Sequence, residues 1–149
     1  VLNETRPPFM VERNPGYFEY WLPVSVKMVV DHDGKVPLLM NEREEWELPG
    51  GKLDQGETPE GCVRREVREE LNLTVDAQDI VSSWVYEITP VRHVFLVAYG
   101  GVYSGSEAIR YSHEHKKLGV FGYDEVPALN MPDPYKAAIR KWGERLNRY

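Results

Sequence analysis

Glu66, Glu69 and Glu70 are the residues whose type and spacing could do chemistry. On a helix, at roughly 100° per residue, they share one flank, Arg64, Arg65 and Arg68 share the other, and Val63, Val67 and Leu71 form an apolar stripe. Like charges at i, i+3 and i+4 each cost a helix a few tenths of a kcal/mol. Glu70 also projects close to the apolar stripe, where a lone carboxylate costs more. A hard divalent cation, which takes carboxylate oxygens and keeps water in its remaining positions, would offset both costs. A solvated outer face with Glu–Arg pairs, such as Arg65 with Glu69, is the other reading. The helix by itself leaves the two open.

The elements that must position these carboxylates are marked in the sequence. Thr58 is placed to cap a helix and Pro59 to begin it, which predicts a helix over 59–71. Immediately before it, Pro49-Gly50-Gly51 makes a tight loop whose backbone N–H and C=O groups can approach a ligand closely. From Gly51 onward, Glu57, Arg65-Glu66-Val67, Glu69-Glu70 and Leu73 match the pattern Gly-x5-Glu-x7-Arg-Glu-U-x-Glu-Glu-x-Gly-U, with U aliphatic. This stretch resembles the box of the Nudix hydrolases. The one departure is Asn72 in place of the last glycine, which ends the helix in a left-handed conformation that asparagine also adopts.

The resemblance implies metal-dependent hydrolysis of a nucleoside diphosphate linked to another moiety, with Mg²⁺ or Mn²⁺ as cofactor. It implies Glu66, Glu69 and Glu70 as metal ligands with the Gly50 carbonyl beside them, Arg65 as the residue that orients the glutamates, and Glu57 as its partner. The base that activates water is expected to be a box glutamate, Glu66 or Glu70, or Glu114 in the later run Ser112-His113-Glu114-His115. The fold implied is an α/β/α sandwich with a mixed β-sheet between helices. Arg43, just ahead of the loop, could meet phosphate, and Trp84, Tyr86 and His93 could stack a base. The segment W-E-L-P-G-G-K-L-D-Q-G-E-T-P looks like the branch that hydrolyses (d)NTPs. Pro90, one residue off the spacing that marks ADP-ribose pyrophosphatases, points toward ADP-ribose or a nucleotide sugar. A Nudix-fold module that binds nucleotides or partners without hydrolysis is the alternative from another class.

The rest of the chain predicts one domain of 149 residues, large enough to bury a core. Residues 1–15 read as a surface arm. Tyr17 to Leu22 reads as an edge strand over the core or a face for a partner. Val24 to Val30 and Val36 to Met40 read as strands joined by the Asp33-Gly34 turn, with Pro37 suggesting an edge. Leu73 to Val75, Ile80 to Ile88, Val91 to Tyr99 and Leu118 to Phe121 complete the strands, and Gly100-Gly101 reads as a loop. Asp133 caps a last helix that begins at Pro134 and packs Tyr135, Ala138, Ile139, Trp142 and Leu146 on the sheet. The net charge of −6 makes a poor match for polymeric nucleic acid, and no apolar run spans a membrane. The expected partners are a small nucleotide and, for a homodimer, a second copy of the chain. The single cysteine, Cys62, excludes an internal disulfide and reads as a small packing residue. With a start at Val1 rather than Met and no signal-peptide pattern, the expectation is a cytoplasmic protein with a few native residues ahead of Val1.

Overall fold

The structure, a computed structural model, describes residues 9–111 and 117–149. Its strands are β1 (Met10–Asn14), β2 (Tyr17–Tyr20), β3 (Val24–His32), β4 (Lys35–Met40), β5 (Trp46–Glu47), β6 (Gly50–Lys52), β7 (Ile80–Thr89), β8 (Arg92–Tyr103) and β9 (Leu118–Gly122). Its α-helices are α1 (Pro59–Leu71) and α2 (Asp133–Arg145). The main sheet runs β5-β4-β3-β8-β7, with β6 added to β3 and β9 to β4. It is mixed: β3 and β8 are parallel, Val24 opposite Phe95 through His32 opposite Tyr103, while the other pairs are antiparallel.

Alternation along β3 divides the core into two layers. Val26, Met28 and Val30 pack with Val63, Val67 and Leu71 of α1. Val29 faces the opposite side, with Tyr135, Ala138, Ile139 and Trp142 of α2. The sheet is therefore covered on both faces, which makes an α/β/α sandwich. No helix among the described residues is long and apolar enough to cross a membrane.

Several elements depart from the sequence expectations for definite reasons. Gly100-Gly101 is not a loop but part of β8, opposite Val29 and Val30. The glycines make room: a Cβ at Gly100 would lie 2.2 Å from the Trp142 ring, and one at Gly101 would lie 2.8 Å from Met28 Sδ and Val75 Cγ1. Residues 10–14, expected as an arm, form a hairpin with β2. That hairpin is a separate two-stranded sheet, so Tyr17–Tyr20 does not extend the main one, and Tyr17 and Trp21 remain more than half exposed. Leu73 and Val75 are buried, yet their segment is unpaired as a strand. Asp133 is the first helical residue of α2 and Pro132 holds the cap position, one residue earlier than expected. Pro37 does not sit on an outer edge. Its strand is bridged to β3 only at His32–Lys35 and then pairs with β9 and β5.

Candidate active site

α1 has the expected bounds, and its ends are set by local chemistry. Thr58 is extended and its hydroxyl accepts from the Gly61 N–H at 3.1 Å. Asn72 is left-handed at φ 62°, and its N–H returns to the Arg68 carbonyl at 3.0 Å. The apolar stripe docks on β3, which carries Glu66 and Glu70 to the β6 edge. β6 approaches from the other side, with Lys27 opposite Gly50 and Val26 opposite Gly51.

Glycine is required at Gly50, and at Gly51 its bare Cα leaves room for a carboxylate. At Gly50, with φ 144°, a Cβ would fall 2.0 Å from the Val26 carbonyl oxygen, and at Gly51 one would fall 2.6 Å from the Glu66 carboxyl group. The Gly50 N–H donates to Glu70 Oε1 at 3.3 Å. Glu70 is 4% exposed. Burial pushes its carboxyl up to about 9 against the pull of Lys27, and hydrogen bonding and repulsion from Glu66 add to the rise.

Arg65 gathers the remaining carboxylates. It donates to both oxygens of Glu57 at 2.7 and 3.0 Å, to Glu66 at 3.0 Å and to Glu69 at 3.2 Å. The hydrogen bonds from Arg65, reinforced by the Asp54 backbone, hold Glu57 down at about 2. The structure thus brings Glu66 and Glu70 together beneath β6 and turns Glu69 outward, 60% exposed, toward Arg65. Arg65–Glu69 is an ion pair, as the solvated-face reading expects, and it stands beside the buried Glu70 and the half-buried Glu66. Cys62 is fully buried, donates to the Lys52 carbonyl at 3.4 Å, and has its thiol pushed up to about 11 by burial. That is a packing role.

The donor set fits a hard divalent cation: carboxylate oxygens of Glu66 and Glu70 and the backbone of Gly50, with no histidine or cysteine ligand joining them among the described residues. Among the described residues no three acidic, histidine or cysteine side chains converge as they stand. A third carboxylate from Glu69 would have to leave Arg65. Glu114, with His113 and His115, lies outside the described residues.

On the α2 side of the sheet, next to this cluster, is a cavity of about 190 Å³. Arg43 and Tyr86 line it together with Lys27, Glu47, Arg92 and Tyr135. Trp84 does not line it; half-buried, it packs edge-on to Tyr135 at 5.5 Å against the α2-side core. His93 is elsewhere. Arg92 and Val94 face the cavity, so the period of the strand turns His93 away. There it meets the Tyr20 hydroxyl at 2.6 Å and stacks on Phe9 at 4.0 Å.

Lys27, Glu47, Arg92 and Tyr135 are cavity residues that the sequence reading passed over. Lys27 read as the polar half of an alternating strand. The available signal was that α2 also reads as amphipathic, so a central strand would be covered on both faces and its lysine buried. It is 9% exposed. Burial lowers its tendency to hold a proton, but Tyr135, Glu47, Glu70 and Glu66 together outweigh that and raise it.

The NUDIX domain profile matches residues 21–146, leaving the N-terminal hairpin outside. The chain is 44% identical over 50 residues to the 8-oxo-dGTP diphosphatase of Escherichia coli K12, covering 34% of this chain and 38% of that protein. It is 33% identical over 122 residues to an RNA pyrophosphohydrolase of Erythrobacter litoralis, covering 65% of this chain and 73% of that one. It spans less than half the length of the 8-oxo-dGTP diphosphatases it matches. In fold it is similar to a C. elegans Ap4A hydrolase, with TM-score 0.75 and 19% identity, covering 86% of this chain and all of that one. A MutT protein of Methanosarcina mazei superposes with TM-score 0.72 and 23% identity, over 86% of this chain and 96% of that one. With the profile spanning most of the chain and the glycine loop set against the α1 carboxylates, this chain belongs to the Nudix hydrolase family.

Proposed function

We propose that this protein is a divalent-metal-dependent pyrophosphohydrolase for a nucleoside diphosphate linked to another moiety, either a (d)NTP or a compound of the ADP-ribose and nucleotide-sugar type. The observation that carries the reading is the placement of Glu66 and Glu70 beneath the Gly50–Gly51 backbone, beside a cavity that holds both cations and tyrosines. The relatives are named as an 8-oxo-dGTP diphosphatase, an NAD-capped RNA hydrolase and an RNA pyrophosphohydrolase, all acting on nucleotide-linked substrates.

Glu66, Glu70 and the Gly50 carbonyl would hold Mg²⁺ or Mn²⁺, with Glu69 joining from Arg65. Such an ion neutralises phosphate charge and makes bound water more acidic. Arg65 fixes the rotamers of Glu66 and Glu57 through its hydrogen bonds, a supporting role that metal sites need as much as the ligands themselves. Glu66, Glu70 or Glu114 takes the proton from the attacking water. Arg43 and Tyr86 contact the nucleotide from the cavity, and Trp84 packs edge-on against the Tyr135 that lines it. His93 supports the N-terminal hairpin.

Phosphate release from a panel of dNTPs, oxidised dNTPs, ADP-ribose, nucleotide sugars and dinucleoside polyphosphates, with and without Mg²⁺, tests the reading. Turnover of one class that vanishes in EDTA is expected. Nucleotide binding with no turnover under any metal would identify a binding module instead.

A further inference from the structure

Among the described residues the buried charged side chains are Lys27, Asp31 and Glu70. Asp31 takes a two-pronged pair from Arg148, at 2.9 Å to each oxygen, and a hydrogen bond from Tyr123. Glu70 belongs to the carboxylate cluster under β6. Lys27 is not tied into the fold in this way. No salt bridge to a described residue captures it, and it lines the cavity.

Its position is unusual for an ammonium. The Gly50 backbone lies directly on the lysine stem, since a Cβ at Gly50 would come within 2.8 Å of Lys27 Cδ. Tyr135, Glu47, Glu70 and Glu66 all favour its charged form. Lys27 therefore stands at the junction between the carboxylates and the cavity. A nucleotide with its base in the cavity and its reacting bond at the carboxylates must pass a phosphate through this point. The two arginines are worse placed: Arg43 is 40% exposed with Nε held by Glu45 at 3.1 Å, and Arg92 is exposed at the mouth. A buried ammonium acts in a lower dielectric and so discriminates more strongly for an anion.

We propose that Lys27 is a substrate-binding residue that takes the phosphate nearest the nucleoside, without the metal. The inference rests on the reading of the cavity as the nucleotide site. It assigns the cavity to ligands with a 5′-phosphate and makes a bare nucleoside a poor occupant.

The test is NMR titration of the full chain in EDTA with paired nucleosides and nucleoside 5′-monophosphates of the four bases. The wild type should bind a monophosphate about 10-fold or more tighter than its nucleoside, the weight of one charge-assisted hydrogen bond. Lys27→Met and Lys27→Gln should bring the pair within about threefold, whereas Lys136→Ala, at a lysine held by the Pro127 carbonyl away from the cavity, should keep the difference. In the wild type labelled at lysine Cε, the Lys27 resonance should move with the monophosphate and stay still with the nucleoside. This reading does not depend on either variant folding. An unmoved Lys27 resonance, or a preference that survives in Lys27→Met, overturns the assignment while leaving the cavity as the nucleotide site. Shifts that map outside the cavity, or no binding of any monophosphate, overturn the cavity reading and this inference with it.

Discussion

Gly51 and the Glu66 carboxylate are so closely apposed that a Cβ on residue 51 would lie 2.6 Å from Glu66 Cδ and Oε1. The obstacle is the flexible end of a side chain, and the backbone at Gly51 is not left-handed. An alanine there would therefore displace the carboxylate rather than the strand. Gly51→Ala should lower turnover by about 10-fold or more, the usual consequence of misplacing a metal-site group, with the melting temperature nearly unchanged. Full activity in this variant, with Mg²⁺ affinity unaltered, would remove Glu66 from the site.

Glu70→Gln and Glu66→Gln should each retain less than about a tenth of the turnover, because an amide holds a divalent ion poorly against water. Glu69→Gln should cost less, since the structure commits Glu69 to Arg65 on an exposed face. Thermal melts supply an independent readout. Mg²⁺ should raise the wild-type melting temperature by mass action and leave that of Glu70→Gln in place.

The metal-free protein should lose stability at both ends of the pH range. Glu70 has its folded value raised from 4.5 to about 9, chiefly by burial, so the folded chain binds the extra proton between those values. Its contribution is complete below about pH 4.5 and fades as pH rises toward 9. Glu57 behaves oppositely. Its folded value is depressed to about 2 by Arg65, so its contribution is present above 4.5 and is lost as pH falls toward 2. Melting curves in EDTA from pH 3 to 9 check both, with Glu70→Gln expected to flatten the alkaline side and Glu57→Gln the acid side. An alkaline side as steep in Glu70→Gln as in the wild type would refute the first assignment.

If Glu114 activates water, Glu114→Gln should lower kcat by about 10²–10⁴ with little change in KM, and flatten the acidic limb of the pH–rate profile. A defect relieved by more Mg²⁺ or Mn²⁺ would mark it as a ligand instead. A kcat within about threefold of wild type would return the base role to the box, with Glu66 next to be tested.

The local code settled α1, its caps and its carboxylate face. Thr58, Pro59 and Asn72 act on backbone groups within one turn of themselves, so their effect is visible in a window of a few residues. The Asp33-Gly34 turn is legible for the same reason: both residues have positive φ, 52° and 82°, as a tight hairpin requires. The family pattern then linked these local elements to a reaction.

Tertiary structure alone decided what lies more than a strand's width away. Gly100-Gly101 reads as a breaker until Trp142, Met28 and Val75 arrive to fill the space that a Cβ would need. His93 and Tyr86 are equivalent as aromatic strand residues, and only the register of β7 on β8 sends one to the hairpin and the other to the cavity. Lys27 looks like the solvent half of an alternating strand, and its burial appears only when α2 covers that face. Burial and convergence are sums over segments distant in sequence, whereas caps and turns are contacts within one, which is why the helix and its caps could be read along the chain and the cavity could not.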